Sequence, residues 1–421
     1  MKFIDLFAGL GGFHVGFDKA GFECVFACEI DDHLRDLYKQ NHNITPHDDI
    51  RTLDIETIPE HDVICAGFPC QPFSLAGKKK GAKCPESGRL IDDVIRIANH
   101  HKPKFIILEN VPNILTIAEG SFWEYLTEKF SEIGYNLEYK VISPVEVGIP
   151  QNRKRVFIVA YQKGSDVDLS TVFNFMPQEE VSLENILNRE LPSKALEDKK
   201  VDLLKYWQKL LDDLKLPEIP ALSLVAPEFG ATYPIDFTGL ALSEMKSYKG
   251  AYGVSLTNCD TWQDVLERMP SYTRKNKRVA NWLHGSIQYS RSIYAQNSAY
   301  LDQWSKGLGK DFNSWQILEW RGQRNVADIY QHLVQFRASG IRILKREIAP
   351  SLISMTPTQI PVIPNENRYI SEFEAARLQF LDGLKAFPET TTKTFKAMGN
   401  AVNAKIVELI ASNLREKFLV S

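Results

Sequence analysis

Cysteine is scarce in this chain: six among 421 residues, at positions 24, 28, 65, 70, 84 and 259, with no Cys-x-x-Cys pair. That excludes a disulfide-stapled scaffold and a zinc ribbon, and it points to a reducing compartment. An excess of either charge is lacking too. Fifty basic against 53 acidic residues leave a net charge of -3, so nucleic acid would have to be met by local basic patches rather than by the field of the whole protein. No apolar run approaches the roughly 18 residues of a membrane span. Met1–Ile4 opens like a signal peptide, but Asp5 and the glycines at 9, 11 and 12 interrupt it, and no small-residue cleavage site follows. Internal repeats and low-complexity segments are absent as well. These absences lead us to expect a cytoplasmic protein with no membrane partner.

What is present is ordinary globular composition, 44% hydrophobic and 24% charged, in a chain long enough for two or three domains. Up to about residue 160, two periods alternate. Lys2–Phe7, Glu23–Cys28, Asp62–Ala66, Lys104–Leu108 and Arg155–Ala160 read as strands. Residues 13–20, 31–41, 90–100 and 121–133 read as helices. Such alternation is the signature of an α/β sheet of parallel strands with helices on both faces. After Gln162 the pattern degrades. Residues 178–216 look helical and charged, and 217–320 irregular and aromatic, with six of the seven tryptophans between 207 and 320. Near the end, Ser371 and Glu374 have capping-box spacing, and Asn400 is placed to cap a last helix bearing Val402, Ile406, Leu409 and Ile410.

The first strand runs into Phe7-Ala8-Gly9-Leu10-Gly11-Gly12, a turn that lets a ligand approach the backbone ahead of a helix N-terminus. Glu29, 20 residues beyond Gly9, ends the second strand, where a carboxylate can accept from both ribose hydroxyls of an adenosine. Asp49-Ile50 falls where a third strand should end. His14 occupies the position at which a dinucleotide fingerprint needs glycine, which argues against a nicotinamide dehydrogenase.

The strand at 62–66 leads into Gly67-Phe68-Pro69-Cys70-Gln71-Pro72. Prolines on both sides fix the backbone direction, and a loop after such a strand lies at the ligand-binding edge of the sheet. Cys70 there is a candidate thiolate nucleophile. Cys24, Cys28 and Cys65, inside apolar strands, read as buried structural thiols. The next strand ends in Leu108-Glu109-Asn110-Val111 and brings a carboxyl to the same edge. A cysteine beside an acid suits attack on an electron-poor ring: the thiolate adds to carbon 6 of a pyrimidine while the acid bonds to nitrogen 3. Gln151-Asn152-Arg153-Lys154-Arg155 precedes the last strand of this region. Arg153 and Arg155 point the same way in extended chain and could grip a phosphate or a carbonyl.

Taken in order, Asp5–Gly12, Glu29, Asp49-Ile50, Gly67–Ser74, Glu109–Val111, Gln151–Arg155, Arg377–Gln379 and Gly399-Asn400 resemble the blocks of DNA (cytosine-5)-methyltransferases of bacterial restriction–modification systems. The resemblance covers about 1–162 and 345–421. It implies a Rossmann-like S-adenosylmethionine-dependent methyltransferase domain with a mixed sheet over 1–165 and 388–421, and a second, smaller target-recognition domain over 166–387. It implies S-adenosyl-L-methionine as methyl donor and a flipped cytosine of double-stranded DNA as substrate. It also implies a monomer, with a cognate restriction endonuclease acting separately. Cys70 would be the nucleophile and Glu109 the acid, with Gln151, Arg153 and Arg155 supporting the flipped nucleotide. Phe7, Gly9, Gly11, Glu29, Asp49, Ile50, Pro69 and Asn400 would form the cofactor site. Residues 73–90 resemble a mobile loop that closes over DNA. That loop usually carries Asp-x-Arg-Gly-x-Leu, whereas Pro85–Leu90 has its arginine displaced. In the intervening segment, Arg274, Lys275, Lys277 and Arg278, with Tyr248, Tyr252 and Tyr289 near Lys249, Lys246 and Arg291, suit contact with DNA. The alternative is an RNA cytosine-5-methyltransferase of the transfer-RNA type.

Overall fold

The computed structural model describes residues 1–69, 90–165, 169, 171–176, 181–216, 218–308, 313–352 and 359–420. The chain forms two compact units. The first comprises residues 1–191, 347–356 and 371–421, and the second 192–346 and 357–370. The division thus falls later than the expected boundary at 165, and it returns 347–356 and 371–387 to the first unit.

The first unit is built on β1 (Lys2–Leu6), α1 (Gly12–Lys19), β2 (Glu23–Cys28), α2 (Asp32–His42), β3 (Val63–Ala66), α3 (Leu90–His101), β4 (Phe105–Asn110), α4 (Ser121–Glu132), β5 (Tyr135–Ile142), β6 (Gln151–Asn152) and β7 (Arg155–Gln162). Its main sheet runs β2-β1-β3-β4-β7-β5. The first four strands are parallel, and β7 is antiparallel to both β4 and β5. The sheet is therefore mixed, and β5 is a strand that the hydropathy pattern did not show. Parallel strands covered on both faces read as near-continuous apolar runs, and Val63–Ala66 and Phe105–Asn110, polar only at Glu109 and Asn110, are buried at every position. No strand ends at Asp49; the chain there makes only an isolated bridge from His47 to Cys28.

The second unit holds α5 (Asp198–Leu214), β8 (Ser223–Val225), α6 (Leu242–Met245), α7 (Trp262–Arg268), α8 (His284–Gly307), β9 (Ile317–Arg321), β10 (Leu333–Arg337) and β11 (Gly340–Leu344). After β12 (Ala349–Pro350), which pairs with β6 in the first unit, come β13 (Val362–Ile363) and β14 (Arg368–Tyr369). The second sheet runs β14-β13-β10-β11-β9-β8. Residues 217–320, expected to be irregular, contain α8, which is helical on both sides of a break at Asn297. Among the described residues of 178–216, the expected helix shrinks to α5 and one short turn at Leu183–Asn185.

Back in the first unit are α9 (Glu372–Gln379), α10 (Thr391–Asn400) and α11 (Ala404–Val420). Ser371 and Glu374 form the capping box. The cap of α11 is Asn403, whose Oδ1 accepts from the Ile406 amide at 3.2 Å. Asn400 instead ends α10. Helix α11 packs against α1, with Val402, just before it, beside Gly12 and its Val407 beside Gly16. Among the described residues, no helix is long and apolar enough to cross a membrane.

Candidate active site

The carboxyl ends of β1, β2, β3 and β4 meet at one edge of the first sheet. A cleft of about 870 Å³ opens there, lined by Phe7–Leu10, Glu29, Gly67–Pro69, Glu109–Val111 and Asn400, with α2 and residues 386–389 as further walls. Phe7 adopts φ 59°, a left-handed conformation that costs a non-glycine residue energy and clusters at ligand sites. Gly9 has φ +55°, and a Cβ there would meet nothing within 4 Å, so it faces open space. Gly11 is needed for a different reason. Its φ is +86°, and a Cβ would fall 2.3 Å from His42 Nε2. It packs the turn onto α2 rather than lining the cleft.

Glu29 ties the turn to β2. Its Oε2 accepts from the Gly9 amide at 2.8 Å and its Oε1 from the Asp31 amide at 2.9 Å. Each oxygen retains a second lone pair, so the carboxylate can still receive a hydroxyl from the cleft. Asp49 and Ile50 are placed elsewhere. Ile50 is a core residue. The Arg51 guanidinium engages the Asp49 carboxylate at 2.6–3.1 Å, and this pairing holds its pKa at about 2. Neither residue lines the described cleft.

The acid is set by strand direction. Because β7 runs antiparallel to β4, Glu109 pairs with Phe157 and Asn110 with Val156, and the start of β7 lies at the end of β4. Arg155 Nε accordingly sits 3.1 Å from Glu109 Oε1. Glu109 is 7% exposed. Burial raises its pKa above the usual carboxyl range, against the opposing pull of Arg155 and then Arg153. A carboxyl so placed keeps its proton more readily than one in water.

Asn110, unremarked by its chemistry in the sequence, fastens the neighbouring strand end. Its Nδ2 donates to the Phe68 carbonyl at 2.9 Å, and its Oδ1 accepts from the Val111 amide at 2.8 Å. The link fixes the Gly67–Pro69 segment beside Glu109. Cys70, Cys84 and the loop at 73–89 lie outside the described residues; Pro69, immediately before Cys70, lines the cleft. Burial pushes the Cys24 and Cys28 thiols up to about 12 and the Cys65 thiol well above its usual value. These three are structural thiols, as their strand positions implied.

The two arginines do not form a free pair. Arg153 is buried, and its guanidinium donates to the Ala401 carbonyl at 3.1 Å and reaches Ser351 Oγ at 3.4 Å. It holds three chain segments together at the cleft wall. Gln151 is fully buried and accepts from Gln379 Nε2 at 3.1 Å, away from the cleft. It orients the segment that carries the arginines. Asn400 is exposed at the cleft, three residues before the true helix cap. The side of the cleft made by residues 386–389 and Lys393 carried no recognisable spacing, because it is assembled by packing against α2, more than 340 residues away in sequence.

The family model for C-5 cytosine-specific DNA methylases matches residues 1–416. The chain belongs to that family. Among individual relatives, the Type II methyltransferase M.HhaI of Haemophilus parahaemolyticus is 38% identical over 167 residues, which are 40% of this chain and 51% of that one. M.MspI of a Moraxella species is 40% identical over 160 residues, 38% of each chain. The matched stretch thus spans about half or less of these two relatives. M.HgiBI of Herpetosiphon aurantiacus matches at 26% identity over 98% of this chain and 96% of its own. A DNA modification methyltransferase encoded within an E. coli prophage shares the fold at TM-score 0.56 and 20% identity, covering 100% of this chain and 99% of that one. S. pombe Dnmt2 does so at TM-score 0.51 and 16% identity, covering 99% of both chains. Glu109, Arg155 and Gly9 of this family member line one cleft.

Proposed function

We propose that this chain transfers a methyl group from S-adenosylmethionine to carbon 5 of a flipped-out cytosine in a specific double-stranded DNA sequence. The observation that carries the reading is the buried Glu109, its pKa raised, in ion-pair contact with Arg155 at the cleft edge that Pro69, the residue before Cys70 in sequence, also lines.

The cleft fits the donor. Glu29 has lone pairs left for ribose hydroxyls, Gly9 leaves room above the turn, Phe7 offers an aromatic face, and Asn400 is free to hold the methionine end. S-adenosylmethionine, bound there, supplies an electrophilic methyl group. Cys70 adds as thiolate to carbon 6 of the cytosine ring, forming a carbon–sulfur bond and pushing electrons toward nitrogen 3. Glu109 donates a hydrogen bond to nitrogen 3 and stabilises that charge. Arg155, in ion-pair contact with Glu109, limits how far burial raises its pKa. Carbon 5, made electron-rich, takes the methyl group. Loss of its proton to a base then expels Cys70 as thiolate.

A duplex cytosine reaches this edge only by leaving the stack, at a cost of a few kcal/mol. The second unit is the candidate to offset that cost by reading the surrounding sequence. In this reading the chain acts as a monomer, and a restriction endonuclease of the same target acts separately. Bisulfite sequencing of plasmid DNA from cells expressing the chain tests the proposal. One recurring sequence should carry methylcytosine, and a Cys70→Ser variant should leave none. Unmodified plasmid beside newly methylated transfer RNA would favour the RNA alternative instead.

A further inference from the structure

The cleft has a wall from α2, where Leu37 and Gln40 face it, and a wall from Ala386, Phe387 and Pro388. Asn41, next to Gln40 but not itself lining the cleft, joins the two. Its Nδ2 donates to the Ala386 carbonyl at 2.9 Å. Its Oδ1 accepts from the amides of Lys385 at 2.9 Å and Ala386 at 2.8 Å. One side chain thus satisfies three backbone groups on a segment that has no helix or strand of its own. The other end of that segment is tied to α10, where Thr394 Oγ1 donates to the Pro388 carbonyl at 3.0 Å.

We propose that Asn41 is a positioning residue that sets the width of the cofactor cleft, by holding the 385–388 segment against α2. The inference rests on the cofactor reading given above. An irregular segment is ordered at an entropic cost. Three hydrogen bonds from the last turn of a helix hold it in its ligand-ready place, so the ligand need not order it on binding. Removing them should weaken cofactor binding without touching the cofactor.

Asn41→Ala and Asn41→Asp, with the wild-type chain, test this by calorimetric titration of S-adenosylhomocysteine, alongside DNA affinity and single-turnover rate. Asn41→Ala, which loses all three bonds, should raise the dissociation constant about tenfold. Asn41→Asp, which keeps the acceptor for both amides, should raise it by only about threefold. DNA affinity measured without cofactor should stay within about twofold, and turnover at saturating cofactor should fall far less than affinity does. Should Asn41→Ala fail to fold, Asn41→Asp carries the same comparison. Wild-type binding with unaltered affinity in the variants would overturn the clamp alone. A wild-type chain that binds no S-adenosylhomocysteine would overturn the cofactor reading and the clamp with it.

Discussion

Arg155 Nε lies 3.1 Å from Glu109 Oε1, a contact made possible by the reversal of β7 against β4. The pair joins a group that burial inclines to keep its proton to one that resists that tendency. Catalytic acids are often held between such opposing influences.

The protonated carboxyl is the form that donates to a ring nitrogen. The methyl-transfer rate should therefore show an alkaline limb, falling as pH rises through the raised pKa of Glu109. Glu109→Gln should lower the single-turnover rate by about 10²–10³ and remove that alkaline limb. An unchanged rate would end the assignment of Glu109 as the acid.

Replacing Arg155 with alanine takes away the larger of the two attractions that oppose burial. The alkaline limb should then move to higher pH, while affinity for S-adenosylhomocysteine stays as it was. A limb that moved to lower pH would contradict the electrostatic account.

Asp5 is fully buried in β1, accepts from Tyr38 Oη at 3.2 Å, and has its pKa raised well above the usual carboxyl range by burial. A carboxyl raised in the folded state contributes stability at acid pH and loses it as pH climbs from the ordinary range through the folded value. Asp5→Asn should therefore gain melting temperature relative to wild type at pH 8, with the gain shrinking toward pH 4. A difference independent of pH would show that Asp5 is folded as an ordinary carboxylate.

Gly11→Ala should destabilise the first unit by roughly 1–3 kcal/mol, from the positive φ alone, and by more from the approach to His42. Adding His42→Ala should recover the steric part and leave the backbone part, as read from denaturant midpoints. Complete recovery would mean that the left-handed turn carries no strain.

The buried parallel strands were legible because burial on both faces makes them continuous apolar runs. Strand β5 was not: it is an edge strand, and exposed Asn136, Tyr139 and Lys140 break its pattern. Helix α8 was hidden by its polar interior. Ser286 and Ser290 are buried and accept from the Ser223 and Val225 amides at 3.0 and 2.9 Å, so its core face does not read as apolar. That Glu29, Glu109 and Arg155 share one cleft was legible because strand ends bring residues to one edge. The roles of Asn41, Asn110 and Asn403 were not, because an amide's partners are backbone groups that only the folded chain supplies.

The basic run at 274–278 is divided between packed and exposed side chains. Arg274 Nε donates to the Met269 carbonyl at 3.1 Å, and Lys277 stands 3.7 Å over the Trp262 ring. Arg291, also a candidate for DNA contact, is paired with buried Glu228 at 2.8 Å. Lys275 and Arg278 are exposed. Replacing these two with alanine should weaken DNA binding and flatten its salt dependence by about two phosphate contacts, while Arg274→Ala should mainly lower stability. Equal salt slopes for wild type and the double variant would move the reading surface elsewhere in the second unit.

Covalent catalysis through Cys70 should leave a trapped adduct on a fluorinated substrate. A long duplex of varied sequence, with every cytosine replaced by 5-fluorocytosine, would be incubated with the chain and S-adenosylmethionine, then digested and analysed by mass spectrometry. Fluorine at carbon 5 cannot leave as a proton does, so the enzyme should remain bound to methylated DNA through Cys70, and Cys70→Ser should give no adduct. Methylation of ordinary duplex with no adduct on the fluorinated one, or an adduct at Cys84 instead, would contradict the account.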